Sequence, residues 1–262
     1  MDIKVGCCGQ AGLSLEKYAE LFNVIELQTP FYRLPKTETA TRWRETVPEN
    51  FEFTTKAFQG VTHLASSPTW RRAGSQRPAS NIKNYGHLQQ TEECLISWRN
   101  TIDLCQTLRA TVCVVQMPPS FEYSEKNLEA IHSFFEGSGE NFAVGLELRH
   151  SSWNGHRAEL AAVLEKVNVL HIVDPLKETP VRTSSTGYFR LHGLGSRLYD
   201  YKYNDEDLSR LKQVISGISP QRCYAMFNNI YSRDDALRFK RLLGQTTSLT
   251  LDQTEKNRLV ER

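Results

Sequence analysis

FAVGLELRH, from Phe142 to His150, has an apolar stem and a charged tip. It is short enough for a buried strand and too short for a buried helix. Seven further runs share the pattern: IKVGCC (Ile3 to Cys8), VIELQT (Val24 to Thr29), FEFTTK (Phe51 to Lys56), TVCVVQ (Thr111 to Gln116), NVLHIVD (Asn168 to Asp174), GYFRLHG (Gly187 to Gly193) and CYAMFNN (Cys223 to Asn229). Nearly all end in a polar, often ionisable residue. Apolar stems with such tips predict parallel strands whose C-terminal ends face one pocket. The fold class expected is α/β, a (β/α)8 TIM-like barrel.

Helical patterns separate these runs. Ser14 can cap a helix carrying Leu15, Tyr18, Leu21 and Phe22, and Thr37 a short one carrying Ala40 and Trp43. Leu88 to Leu108 is the longest helical stretch; Ser124 opens another, and His156 to Val167 reads as a third. Asn204 can cap a helix with Leu208, Leu211 and Ile215, and Ser232 with Asp235 resembles a capping box. Repeated strand–helix alternation argues for βαβ units. Between strands 6 and 7 lies PLKETPVRTSST, whose Pro175 and Pro180 predict an irregular crossover in place of a helix. Residues 62–86 form a long polar excursion after the third strand, basic through Arg71, Arg72, Arg77 and Lys83. It reads either as a mobile lid or substrate-contact element, or as a disordered excursion. The expected organisation is one barrel domain over 1–244 and a polar tail over 245–262 that frays.

The chain has 262 residues, 39% hydrophobic and 24% charged, which suits one packed barrel and excludes global disorder. A formal charge of +2 does not by itself argue for a nucleic-acid or membrane partner. No apolar run spans a bilayer, so the expectation is a cytoplasmic protein without a membrane partner. The six cysteines include no C-x-x-C pair, which leaves a zinc ribbon or thioredoxin-type site unsupported. They read as small buried hydrophobes. A reactive thiol at Cys7 or Cys8 is the competing reading, with only one of the two turned inward by strand alternation. Phosphate-loop, dinucleotide and nucleophile-elbow fingerprints are absent from the sequence.

Residues two apart on a strand share a face. Glu26 pairs in this way with Gln28, Thr54 with Lys56, Glu147 with Arg149, and Arg190 with His192. Glu26 and Glu147 are candidates for acid–base work, and His192 for the acid. If a divalent metal ion is the cofactor, its ligands are Glu26, Glu147, Asp174 and His192. Lys56, Arg149 and Arg190 either neutralise the carboxylates or hold a substrate anion. His63, Gln116, Asp174, Tyr32 and Asn228 complete the expected binding set. His150 is off by one in parity and is expected to pack against a helix. The competing reading of the whole set is a ring of salt bridges closing the top of the barrel.

Several motifs carry a family resemblance: GCCG (Gly6 to Gly9), IELQTPFYRLP (Ile25 to Pro35), Trp43, FEFTTKA (Phe51 to Ala57), VTHL (Val61 to Leu64), QMPPSF (Gln116 to Phe121), LELRHSSW (Leu146 to Trp153), Asp174, FRLHG (Phe189 to Gly193) and FNN (Phe227 to Asn229). On these the chain resembles the domain of unknown function 72 family, the YecE-like proteins. The resemblance implies a (β/α)8-like barrel and brings no activity. Two departures from the family pattern are Cys7, Cys8 and Gln10 around the first glycines, and the run Glu26-Leu27-Gln28-Thr29-Pro30 in the second strand. The leading expectation is a phosphoester hydrolase acting on an anionic substrate, with nucleic acid reached through the basic excursion. A sugar isomerase or epimerase is the alternative enzyme, and a non-catalytic ligand- or partner-binding module the third reading.

Overall fold

The strands of the computed structural model are β1 (Asp2–Cys8), β2 (Val24–Leu27), β3 (Glu52–Lys56), β4 (Val112–Gln116), β5 (Ala143–Glu147), β6 (Leu170–His171), β7 (Thr186–Leu191) and β8 (Arg222–Phe227). Residues 1–137, 141–182, 184–196 and 198–245 are described. All strand pairs are parallel, in the order β6-β5-β4-β3-β2-β1-β8-β7. The two ends of that order meet: Val173 bridges Phe189, and the Arg190 N–H donates to the Val173 carbonyl at 3.0 Å. The sheet is thereby closed into a (β/α)8 barrel.

The helices are α1 (Leu15–Leu21), α2 (Thr29–Tyr32), α3 (Thr37–Thr46), α4 (Gln59–Thr62), α5 (Glu92–Leu108), α6 (Glu125–Phe135), α7 (Arg157–Lys166), α8 (Asp205–Ile218) and α9 (Ser232–Leu242). Ser14 and Ser124 cap α1 and α6 through their hydroxyls, and Asn204 with Asp207 forms a reciprocal capping box on α8. Two expected caps differ. Lys36 is the residue that precedes α3, and Thr37 is its first helical residue. Asp235 makes no cap for α9; it is buried and accepts from the Tyr203 N–H and the Asn229 amide. Those tertiary donors outcompete the local one. Strand 6 is shorter than its apolar run: Asn168 sits in the left-handed region at φ 52°, and beyond His171 only the Val173 bridge to Phe189 continues the pairing. No helix occurs among the described residues between β6 and β7, as the two prolines there require.

Alternation divides the strand residues into two cores. Val24, Val112, Val114, Ile172, Tyr188, Tyr224 and Met226 fill the barrel interior. Phe53, Leu146, Phe189 and Phe227 point outward and pack under the helices. The interior is narrow where the tyrosines lie. A Cβ on Gly6 would stand 2.4 Å from the Val24 carbonyl oxygen, and one on Gly145 2.5 Å from Ile172. At the N-terminal end Glu52 accepts from Tyr224 at 2.6 Å and pairs with Lys4 at 3.2 Å.

The excursion after β3 is not an open loop. It folds into three 3-10 turns, Pro68–Arg72, Gly74–Gln76 and Ile82–Asn84. Trp70 anchors it, buried between Phe58 and Tyr85 and donating its indole N–H to the Leu64 carbonyl. Composition weighted the arginines and prolines and missed the effect of one buried aromatic. Among the described residues no helix is long and apolar enough to cross a membrane. Most of the tail, 246–262, lies outside the described residues.

Candidate functional site

Arg190 is the centre of the C-terminal mouth. It comes from β7, facing inward, and is fully buried. Its Nε and Nη2 donate to the two oxygens of Glu26 at 3.0 and 2.9 Å. Its Nη1 donates to Glu147 and, at 2.9 Å, to Gln116. Burial alone would lower the guanidinium pKa, but Glu147 and Glu26 more than offset it and hold the cation well above its usual value. Burial likewise pushes the Glu147 carboxyl up; Arg190 and Arg149 overcome that and leave it at about 2. Glu26 also accepts from the Tyr188 hydroxyl at 2.8 Å and from the Gln28 amide. Four donors on one carboxylate leave it little freedom to act as a base.

Lys56 stands apart from this network. It ends β3, is buried, and places its Nζ 3.9 Å over the Phe31 ring. Burial and the neighbouring Arg190 outweigh Glu26 and Glu147 and bring its amine down to about 7. His63 packs against the same Phe31 ring at 4.9 Å, with Nδ1 bonded to Thr62 at 2.8 Å. Arg149 donates to His192 Nε2 at 2.9 Å and pairs with Glu147 at 3.0 Å. Arg149 can only donate, so His192 Nε2 accepts and the ring proton resides on Nδ1. Burial keeps His192 neutral, at about 3, with Glu147 opposing and Arg190 and Arg149 reinforcing the shift. It therefore has no imidazolium proton to give near neutral pH, and the acid role expected of it does not suit it.

The structure thus brings Glu26, Lys56, Gln116, Glu147, Arg149, Arg190 and His192 to one end of the barrel. Asp174 serves a different purpose. Its oxygens accept from the backbone N–H groups of Leu176 and His192, tying the crossover to β7, and Lys177 lies at 3.7 Å. Asn228 is half-buried and its backbone N–H donates to the Leu191 carbonyl, whereas Asn229 turns toward α9. Tyr32 lies under the Arg72 guanidinium at 3.6 Å. His150 caps the 3-10 turn Ser151–Gly155, its Nδ1 accepting from the Ser152 N–H. Cys8 is the inward thiol of the pair, 3.9 Å from Arg190, and Cys7 packs outward. Burial pushes Cys8 well up and Cys7 to about 12, so neither is an activated thiolate.

The four residues expected to hold a metal do not fit one. Glu26 and Glu147 face a guanidinium, the Asp174 oxygens hold backbone N–H groups, and His192 Nε2 accepts from Arg149. Among the described residues no group of three or more His, Cys, Asp or Glu side chains is arranged for a metal ion. Two residues of the mouth escaped the sequence analysis. Tyr188 shares parity with Arg190 and His192, and that alternation could have found it. Phe31 lies in the one-turn helix after β2, where no periodicity marks it.

The buried histidines make stability fall in mild acid. Burial holds His63 and His192 at about 3 and His171 at about 4. An unfolded histidine titrates near about 6.5, so below that pH the unfolded chain takes up protons that the folded chain does not. Glu147, depressed to about 2, adds stability that is lost as the pH falls from the ordinary carboxyl range toward that value. We expect the thermal midpoint to decline steadily from about pH 6.5 to pH 3. A midpoint that is flat down to about pH 5 would contradict neutral buried histidines.

Together the fold and the mouth define a TIM-barrel protein with a charged, inward-facing cluster at the C-terminal strand ends. The family model "Protein of unknown function DUF72" matches residues 8–259, and the chain belongs to that family. It is 22% identical over 258 residues to the UPF0759 protein YunF of Bacillus subtilis, covering 87% of this chain and 85% of YunF. It is 43% identical over 53 residues to the UPF0759 protein YecE of Escherichia coli K12, a match that spans only 20% of either length. A DUF72 family crystal structure from Enterococcus faecalis superposes with a TM-score of 0.72 at 20% identity, covering 94% of this chain and 98% of that one. The same fold is shared with D-psicose 3-epimerase (TM-score 0.57, 14% identity, 94% and 100% covered) and endonuclease IV from Thermus thermophilus (0.54, 13%, 94% and 98%).

Proposed function

We propose that the protein is an enzyme that moves protons on a carbonyl-bearing, sugar-like substrate at the barrel mouth, with Lys56 as acid and base. The observation that carries this reading is Lys56 itself, a buried amine at about 7 on a strand tip, against an aromatic wall. A group poised near the working pH is suited to take a proton and return it. The charge balance supports the same reading. Arg190 is consumed by Glu26 and Glu147, so the mouth has less spare positive charge than three cations imply. Neutral Lys56 takes the proton from the carbon beside the carbonyl. Arg149, whose Nε is buried without a hydrogen-bond partner among the described residues, is suited to steady the developing oxyanion.

Phosphoester hydrolysis is the second reading. It is favoured by Arg149, whose Nε is buried with no hydrogen-bond partner among the described residues, and by exposed Arg71 and Arg72 on the excursion. Barrels of this fold include an epimerase and an endonuclease, so fold does not choose between them.

The test is proton exchange in deuterium oxide, followed by NMR, over a panel of aldoses and ketoses with and without phosphate. Exchange beside the carbonyl, rising with an apparent pKa near about 7, is expected. Cleavage of a phosphodiester without any exchange favours the second reading. Charge reversal at Arg71 and Arg72 should then weaken polymer binding in a salt-dependent way. Binding without turnover makes the mouth a recognition module.

A further inference from the structure

We infer that Lys56 captures its substrate covalently, as a Schiff base between Nζ and the carbonyl carbon. The inference rests on the reading that a carbonyl compound enters the mouth, and it adds the bond that forms there.

Three observations carry it. The first is isolation from counter-ions. Glu26 and Glu147, the carboxylates that act on Lys56, are committed to Arg190 and Arg149. Among the described residues Lys56 forms no ion pair, and the contact that positions it is the Phe31 ring. Lys240, also buried among the described residues, differs: its Nζ donates to the Leu21 carbonyl at 2.6 Å. Second, two guanidinium groups share the mouth with Lys56, and a desolvated amine beside other cations loses its proton and becomes nucleophilic. Third, the amine is walled in by aromatic groups: the Phe31 ring that Lys56 lies over is itself packed edge-on against His63 at 4.9 Å, whose Nδ1 is bonded to Thr62.

The chemistry balances without an oxidant or reductant. The Nζ lone pair adds to the carbonyl carbon, and the oxygen takes the proton that Nζ sheds, giving a neutral carbinolamine. The hydroxyl of that intermediate takes a proton from solvent and leaves as water while the nitrogen keeps its remaining hydrogen, so a protonated C=N replaces C=O. The protonated imine then withdraws electrons from the adjacent carbon and acidifies its proton. With its lone pair engaged in the imine, Nζ no longer serves as the base, so solvent water takes that proton, and the covalent route replaces direct abstraction by Lys56.

Dihydroxyacetone and sodium borohydride at neutral pH test the inference on the full chain. Reduction fixes an imine as a secondary amine, so the labelled peptide gains the mass of the ketone less one oxygen. We expect the label on Lys56 at least about tenfold above the average exposed lysine, because exposed amines keep a pKa near about 10.4 and are almost wholly protonated. Labelling of Lys56 should be half-maximal near about pH 7 and absent from both Lys56→Arg and Lys56→Met. Label spread over surface lysines with Lys56 unmodified overturns the inference. The two readings fail separately. Exchange of the ketone's carbon-bound protons without label on Lys56 keeps the acid–base enzyme and removes the covalent step. Label without exchange keeps the Schiff base and removes the proton-transfer enzyme.

Discussion

Replacing Arg190 with Met is expected to destabilise the fold by about 3–5 kcal/mol, the usual penalty for stranding buried charge. Arg190 is wholly buried, as is Glu26, and it supplies two of that carboxylate's four donors. It also bonds Glu147 and Gln116 from the same guanidinium. Methionine fills much of the volume and removes every one of those bonds. Arg190→Lys should lose nearly as much, because an ammonium cannot span two carboxylates with planar paired donors. The loss measures the two carboxylates left behind rather than the worth of the network. Adding Glu26→Gln and Glu147→Gln to Arg190→Met should therefore recover part of it. Urea midpoints of the four chains check this. A loss below about 1 kcal/mol for Arg190→Met would mean that water reaches the mouth freely and that the ion pairs behave as surface pairs.

Lys56→Met should lower turnover at least about a hundredfold while leaving the chain as stable as before or more so. The two effects have one cause. Lys56 is held at about 7 because burial penalises its charge. An unfolded lysine titrates near about 10.4, so the penalty is present in full below about pH 7 and is relieved as the pH rises toward 10.4. Methionine abolishes it. The variant's stability advantage should therefore be greatest at and below about pH 7 and shrink in alkali. A structural lysine would behave in the opposite way, with stability lost and activity per folded molecule retained. Thermal midpoints across pH, set beside the exchange rate, separate the two.

Alternation is a local property, and it showed in the sequence wherever a strand was long enough to reveal it. Glu26, Lys56, Glu147, Arg190 and His192 each followed from counting residues along one strand, whereas that counting left open which of Cys7 and Cys8 turns inward. The irregular crossover was legible for the same reason, since proline removes a backbone donor wherever it stands. Partner choice was not legible. Glu26 and Arg190 lie 164 residues apart and meet only because β7 reaches β2 across a closed barrel. Closure and stagger decide which tips share a layer, and no single strand contains that information. The same holds for Asp235, which has a capping position in the sequence and tertiary donors in the fold, and for Trp70, whose burial turns a basic loop into a packed element. The sequence by itself determined which residues of one strand share a face, because that depends on a two-residue period. Only the tertiary structure decided that Arg190 is spent on two glutamates and Lys56 is not, because charge pairing depends on distances that the closed barrel sets.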